Sequence, residues 1–315
     1  MKLVKIAKRS GGFRTICVPS AIRKRQCREI IPHLQRIVRA VCDLDCLHGF
    51  AELRSAVTHA ARHVGYPITV SLDLADFFDT VTEKQHGAKT ALKRLPKEDY
   101  DRLWHDGIAR QGLPTSPIVA NIAAAEMDRQ LLAMCKPITN GSRPIVYGRY
   151  GDNLDFSCDT EQSVAAILAL VPGIVKAHGF KINEKKTHVQ RASAGRRIIT
   201  GVAVSETGIH PTRTLKRKLR AAIHNAETGH VKDFPKRQWT KYRKWCKFRG
   251  VDPMPKRQWL RRWLWQRVRG LQEWAQLKMP GAGKRSAIRI AETFEATDAL
   301  AELACRKPVK GTNRA

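Results

Sequence analysis

Apolar positions recur with two different periods along this chain. Ile30, Ile31, Leu34, Ile37, Val38 and Val41 fall at helical spacing and predict an amphipathic helix over residues 21–41. SPIVANIAAAEMDRQLLAMC (116–135) predicts a second helix, with Ser116 as N-cap and Pro117 in its first turn. Its buried face would run through Ile118, Ile122, Ala125 and Leu132. Val164, Ile167, Leu168, Val171, Ile174 and Val175 trace a third helix near 161–178. Shorter β-rich runs predict strands at FRTICVP (13–19), ended by Pro19, and at ITVSLDL (68–74). YGRYGDNLDFSC (147–158) sets two alternating runs around a Gly-Asp-Asn pivot, the pattern of a β-hairpin. A further hairpin is predicted over IITGVAVSETGI (198–209), turning near Glu206–Gly208.

The pattern changes after about residue 210. PKRQWTKYRKWCKFRG (235–250) repeats as PKRQWLRRWLWQRVRG (255–270), with eight identities in sixteen positions at an offset of twenty. Two copies do not make a solenoid; they read as a duplicated helix with Trp on one side and Arg/Lys on the other. Six of the seven tryptophans lie between 239 and 274, and packing is their ordinary role. The charge is less ordinary. Residues 211–270 hold 19 Lys/Arg against three acids, Glu227, Asp233 and Asp252, so the segment repels itself unless a polyanion is present.

The whole chain of 315 residues is long enough for one large or two ordinary domains and carries 58 Lys+Arg against 28 Asp+Glu, a net charge of +30. Nucleic acid is the simplest partner for such an excess, because each neutralised phosphate releases counterions. An anionic membrane is the competitor, but no stretch approaches about 18 uninterrupted apolar residues and the N-terminus has no apolar signal core. The expectation is a soluble intracellular protein. The eight cysteines, at 17, 27, 42, 46, 135, 158, 246 and 305, form no Cys-x-x-Cys pair, so reduced, packed thiols are expected and no structural metal.

The candidate chemistry lies in two carboxylate-bearing segments. SLDLADFFDTV (71–81) ends an apolar strand on Asp73, with Asp76 and Asp79 following. Alone it could be a helix cap or a loop. Together with the hairpin tip at Asp152 it offers two carboxylates on adjacent strands. Such hard oxygen ligands suit Mg²⁺, and phosphoryl transfer uses two such ions roughly 4 Å apart.

The ordered motifs resemble the reverse transcriptase family, most closely its bacterial retron-type branch. SLDLADFFDTV resembles DxxDFFxSI, and RQGLPTSPIVANIAAAEMD (110–128) resembles QGxPTSPxLANLxxxxLD. RYGDNLDFS (149–157) resembles RYADDLxFS, FKINEKKTHV (180–189) the GLxINxxKT segment, and IITGVAVSETGI the VTG segment leading into the thumb. FRTICVPS matches the fingers strand, HGF (48–50) sits where that branch has it, and HAARH (59–63) is close to NAxxH with His59 for Asn. The resemblance spans residues 13 to about 275 in colinear order.

It implies an α+β, right-hand polymerase fold, with fingers and palm interleaved over 1–205 and a basic Trp-rich helical thumb/RNA-binding region over 206–307; the tail over 308–315 (PVKGTNRA) reads from its own composition as disordered. Asp73 and Asp152 would bind two Mg²⁺, with Mn²⁺ as substitute. Phe78 would exclude a 2′-hydroxyl, and Gln111 and Gly112 would line the nucleotide and template pocket. Arg14 would clamp the triphosphate, and Lys186 would stand near it as a proton donor to pyrophosphate. Lys236, Arg237, Lys244, Lys256, Arg257, Arg261, Arg262 and Arg269 would hold nucleic acid. The implied partners are a structured RNA template and primer, nascent DNA and an effector protein, with no membrane, in the cytoplasm of a prokaryote carrying a retron or related antiviral element.

The chain departs from the family at Asn153, where the pattern has a second Asp. Three readings follow: an enzyme with altered metal preference, a catalytically silent protein that keeps the fold to hold RNA, or an inactivating substitution. Asp155 lies on the same strand face as Asn153 and is a candidate to lend charge. An RNA-dependent RNA polymerase would accommodate Gly-Asp-Asn, but Phe78 and the thumb-leading segment argue against it.

Overall fold

The computed structural model describes residues 1–8, 11–135, 143–229 and 234–276. The chain starts with β1 (Lys2–Ala7), β2 (Phe13–Val18), α1 (Ala21–Val41), α2 (Ala56–Ala61) and β3 (Ile68–Asp73). Three short helices, α3 (Phe77–Thr80), α4 (His86–Leu92) and α5 (Lys97–Asp101), precede the long α6 (Ser116–Met134). Then come β4 (Val146–Tyr150), β5 (Asn153–Cys158), α7 (Glu161–Ala177) and β6 (His188–Arg191). β7 (Arg197–Ile199), β8 (Val202–Val204) and β9 (Ile209–His210) lead into α8 (Arg213–Thr228), α9 (Lys236–Arg249) and α10 (Lys256–Gln276).

The central sheet has the order β4-β5-β3-β6, and every pair is antiparallel. Its register gives the two faces opposite characters. Val70, Leu72, Leu154, Phe156 and Tyr147 point to one side and join the main hydrophobic core with residues of α1, α4, α6 and α7. Thr69, Ser71, Asp73, Asn153, Asp155 and Ser157 point to the other. β1 and β2 form a separate hairpin, and β7-β8-β9 a small sheet against α2.

Several expectations change on contact with this packing. α6 is capped by Thr115, which makes no side-chain cap bond; Ser116 is already helical and donates its hydroxyl to the Arg110 carbonyl at 2.7 Å. The helix is also buried on nearly every side rather than along one stripe, because Ala120, Ala123 and Ala124 let α1, α4 and α7 close around it. Leu132 is only half-buried and Val41 is exposed. The 198–209 segment makes two turns rather than one. Thr200 and Gly201, both at positive φ (46° and 81°), reverse β7 into β8, and the expected second turn joins β8 to β9.

The chain divides into two units, 1–216 and 217–315. The pairing of β8 with β9 keeps residues after 205 with the first unit, later than the 205/206 boundary expected from sequence. In the second unit Leu219 and Ala226 of α8 pack on Leu264 and Val268 of α10. The two copies of the repeat meet through equivalent residues, Trp239 and Trp259, whose ring centroids are 5.1 Å apart. Trp259 is buried and Trp239, Trp263 and Trp265 are half-buried, as packing residues should be; Trp245 is exposed. All seven described cysteines are buried and free. The tail from 308 lies outside the described residues, as does the 277–307 part of the expected thumb region. No helix of the described residues is long and apolar enough to cross a membrane.

Candidate active site

β3 runs entirely buried to its last residue, Asp73, which pairs across the sheet with Asn153, the first residue of β5. The two residues between β4 and β5 are Gly151 and Asp152. Gly151 takes φ of 66° and Asp152 does not take positive φ, the pattern of a type II′ turn with glycine first. The Leu74 amide donates to the Asp152 carbonyl at 2.8 Å and so extends the ladder past Asp73. The two carboxylates therefore flank the same end of one strand pair. Burial pushes Asp152 up from the ordinary carboxylate range, and the charge of Asp73 pushes it further, while Lys186 and Arg14 pull it back.

The turn is held from below by charges that sequence reasoning left without a role. Arg149, fully buried on β4, donates from Nε and Nη2 to both oxygens of Asp128 on α6, at 2.7–3.0 Å. Its Nη1 reaches Asn121 Oδ1 at 3.0 Å and the Gly151 carbonyl at 3.3 Å. Tyr147 Oη donates to the same Asp128 at 2.7 Å, and Asn121 Nδ2 to the Gly49 carbonyl at 2.9 Å. Gly49 is pressed so closely on the turn that a Cβ there would lie 2.2 Å from the Gly151 nitrogen. The signal was present in the sequence as an Arg and an Asp inside otherwise apolar elements, where only pairing makes a charge tolerable.

The remaining candidates divide. Lys186, in a 3₁₀ turn over Glu184–Lys186, donates from Nζ to Asp73 Oδ1 at 2.8 Å. Asn153 donates from Nδ2 to Asp152 Oδ1 and to the Tyr150 carbonyl, each at 3.3 Å. Arg14 is exposed on β2 and near enough for its charge to act on Asp152. Phe78 is half-buried, with its ring centroid 6.0 Å from that of Phe50, whose own ring would meet a Cβ on Gly151 at 3.2 Å. Phe50 thus joins the site from HGF, a segment whose sequence gave it no chemical role. Gly112 is pressed on the β1–β2 hairpin: a Cβ there would come 2.1 Å from the Cys17 carbonyl of β2, and the Cys17 amide donates to the Gln111 carbonyl at 2.8 Å. Asp76 and Asp79 pair with Lys8 (3.5 Å) and Arg110 (3.2 Å).

Asp155 does not supplement the turn. It is buried under α2, accepts from Ser71 Oγ, and lies 3.7 Å from His59 Nε2. Burial pushes its carboxyl up to about 6 and holds His59 down to about 3, so the imidazole is neutral and the two do not form an ion pair at neutral pH. His63 Nδ1 bonds Ser157 Oγ at 2.9 Å, and Arg197 ties Thr69 Oγ1 (2.8 Å) to the His63 carbonyl (2.9 Å). HAARH is therefore the lid over the polar face of the sheet.

Among the described residues no three His, Cys, Asp or Glu side chains are grouped to hold a metal. The donor set at the turn nevertheless fits Mg²⁺, which is commonly held by one or two carboxylates plus substrate phosphates and water. Asp152 is raised first by burial and then by the charge of Asp73, and Asp73 already carries a lysine ammonium, so a cation bound between them would offset both effects. In the second unit Lys236, Arg237, Lys244, Lys256, Arg257, Arg261, Arg262 and Arg269 all lie exposed on α9 and α10.

Residues 6–231 match the family described as reverse transcriptase (RNA-dependent DNA polymerase). The chain is 32% identical to the Retron Mx65 reverse transcriptase of Myxococcus xanthus over 70% of this chain and 54% of that protein. It is 32% identical to the Retron Mx162 reverse transcriptase of the same organism, over 71% and 52%. With the Retron Ec73 reverse transcriptase of Escherichia coli it shares 28% identity over 79% and 82%. The chain spans about half the length of the two Myxococcus relatives. With well over half of its residues matched, the chain belongs to the reverse transcriptase family and its right-hand polymerase fold, and within that family its similarity runs to the bacterial retron type.

Proposed function

We propose that this protein is an RNA-directed DNA polymerase that extends a primer with dNTPs on a structured RNA, with Asp73 and Asp152 as the metal-binding carboxylates. The observation that carries this is the meeting of Asp73, at the end of β3, with Asp152, at the β4–β5 turn, in a register set by the sheet. The primer hydroxyl (a 3′-hydroxyl, or a 2′-hydroxyl at priming) attacks the α-phosphate and pyrophosphate leaves. Divalent cations, Mg²⁺ in our reading and Mn²⁺ in its place, supply charge stabilisation to both oxygens when bound. Asp73 and Asp152 supply their oxygen ligands. Phe78, backed by Phe50, forms the wall beneath the sugar; Arg14 meets the triphosphate; Lys186 leaves Asp73 to give a proton to pyrophosphate. Gln111 and Gly112 support the fingers hairpin beside that pocket. The exposed cations of α9 and α10, Lys236 through Arg269, hold the RNA–DNA backbone as a thumb.

Asn153 lowers the negative charge at the turn and ties up one oxygen of Asp152, so the cation requirement rises. That same bond favours the second reading, a silent RNA-binding protein. Primer extension on an RNA template with Mg²⁺ or Mn²⁺ separates them. Product that disappears in Asp73→Asn and Asp152→Asn supports the enzyme; no product with either metal, but product from Asn153→Asp, defeats it for this chain. The retron-type similarity favours a structured non-coding RNA as template, an effector protein as partner, an antiviral role, and the prokaryotic cytoplasm as its place.

A further inference from the structure

α9 has two sides. Trp239 and Tyr242, at i and i+3, turn toward the second copy of the repeat, where Trp259 lies 5.1 Å from Trp239 and 6.0 Å from Tyr242 between ring centroids, and Cys246, at i+7 on the same side, is buried. Packing therefore accounts for that side and leaves the other unexplained. Arg237, Lys241, Lys244, Trp245 and Phe248 follow at i, i+4, i+7, i+8 and i+11, which keeps them on one flank of the helix. Trp245 is 53% exposed and Phe248 86%, against 6% for Trp259. The helix carries no acidic residue (KRQWTKYRKWCKFR). Arg249 stands 6.0 Å from the Trp245 ring, and Tyr242 stacks behind it at 6.4 Å.

We propose that this flank of α9 is a stacking platform for unpaired bases of a bound RNA, with Trp245 and Phe248 receiving one base each and Arg237, Lys241 and Lys244 neutralising the flanking phosphates. The inference rests on the reading of this region as RNA-binding and specifies which part of an RNA it takes. Exposed aromatic rings interleaved with cations that no acid on the helix offsets fit a single strand, whose bases present π-faces and whose backbone is anionic. They do not fit a duplex, whose bases are already stacked on one another. The charge also repels another copy of the same helix.

The test measures binding of the full chain to an unstructured RNA oligonucleotide and to an RNA duplex of equal length, over a series of salt concentrations. Trp245→Ala and Phe248→Ala should each weaken single-strand binding by about tenfold. The slope of log Kd against log salt should stay unchanged, and duplex binding should be unaffected. Trp245→Phe should retain most of the affinity. Lys241→Ala with Lys244→Ala should instead flatten the salt slope, by about one for each phosphate that is no longer neutralised. Phe248 is almost wholly exposed, so its removal spares the fold, and an unchanged circular dichroism spectrum and thermal melt check the same for Trp245→Ala, whose ring also stacks on Tyr242; buried Trp259 is the contrasting position. Equal weakening on the duplex, no weakening on the single strand, or a role for the rings only in binding anionic vesicles would overturn the proposal. Salt-sensitive RNA binding that ignores both rings sinks this inference alone, whereas no RNA binding at all sinks the reading on which it rests.

Discussion

Cutting the Asp128–Arg149 pair should be among the costliest single changes in the first unit. Both side chains are fully buried, and Asp128 accepts from Arg149 Nε, Arg149 Nη2 and Tyr147 Oη. Asp128→Ala leaves a guanidinium out of water with two of its three donor groups unpaired and strands the Tyr147 hydroxyl. Breaking a buried pair this way costs about 3–5 kcal/mol, a large share of the roughly 5–15 kcal/mol that holds a domain together. Urea denaturation followed by circular dichroism measures it directly. Replacing both members with apolar residues, Asp128→Leu with Arg149→Met, should recover much of the loss, since no buried charge then remains. Asn121→Ala keeps the ion pair and cuts only the bonds to Arg149 Nη1 and the Gly49 carbonyl, so it should cost about 1–3 kcal/mol and lower primer extension more than stability. The exposed Glu126–Arg129 pair on the same helix is the control and should be nearly silent. An Asp128→Ala loss no greater than that control, or a double variant no better than the single, would refute the reasoning.

Three other perturbations follow from the site. Asp155 binds its proton more tightly folded than unfolded, so stability falls as pH rises from its ordinary 3.8 to about 6. Asp155→Asn should remove that loss, up to about 3 kcal/mol at neutral pH; because His59, held down to about 3, works in the opposite direction over the same range, the comparison is the variant-minus-parent difference in urea stability against pH, and a flat difference counts against it. Gly148→Ala puts a Cβ 2.8 Å from the His59 ring inside a packed face and should cost about 1–3 kcal/mol, recovered by adding His59→Ser; thermal melts that show no recovery exclude the contact as the cause. Lys186→Met removes the ammonium from Asp73, so Mn²⁺ binding to the nucleic-acid-free protein should tighten by up to about fivefold, as read by Mn²⁺ electron paramagnetic resonance; unchanged affinity would mean that the lysine does not compete with the cation.

The parts legible in the sequence were those whose pattern is local. ITVSLDL reads as a strand because its apolar run stops at Asp73, and YGRYGDN reads as a hairpin because Gly151 is the residue such a turn needs. The parts that were not legible depend on distant neighbours. α6 has no amphipathic stripe to read, because its alanines admit helices on several sides. Nothing local assigns Arg149 to Asp128, twenty-one residues away on another element. Asp155 shared a face with Asn153 as alternation requires, yet α2 covers that position and not the tip, so the strand period alone overstated its chemistry. The close approach at Gly112 is to the Cys17 carbonyl of β2, a partner far away in the chain that no local pattern names.

The contact between Gly49 and Gly151 bears on how this site could be moved or copied. Two backbones that leave no room for even one methyl group form a lock between segments a hundred residues apart in the chain. A designer who grafted the YGDN hairpin and its partner strand onto another sheet would carry over both carboxylates and lose the surface that fixes their height. The smallest portable unit therefore includes the loop through Phe50 and the α6 face bearing Asn121 and Asp128. A circular permutant opened between Cys46 and Gly49 should sacrifice the turn's alignment before it sacrifices the sheet.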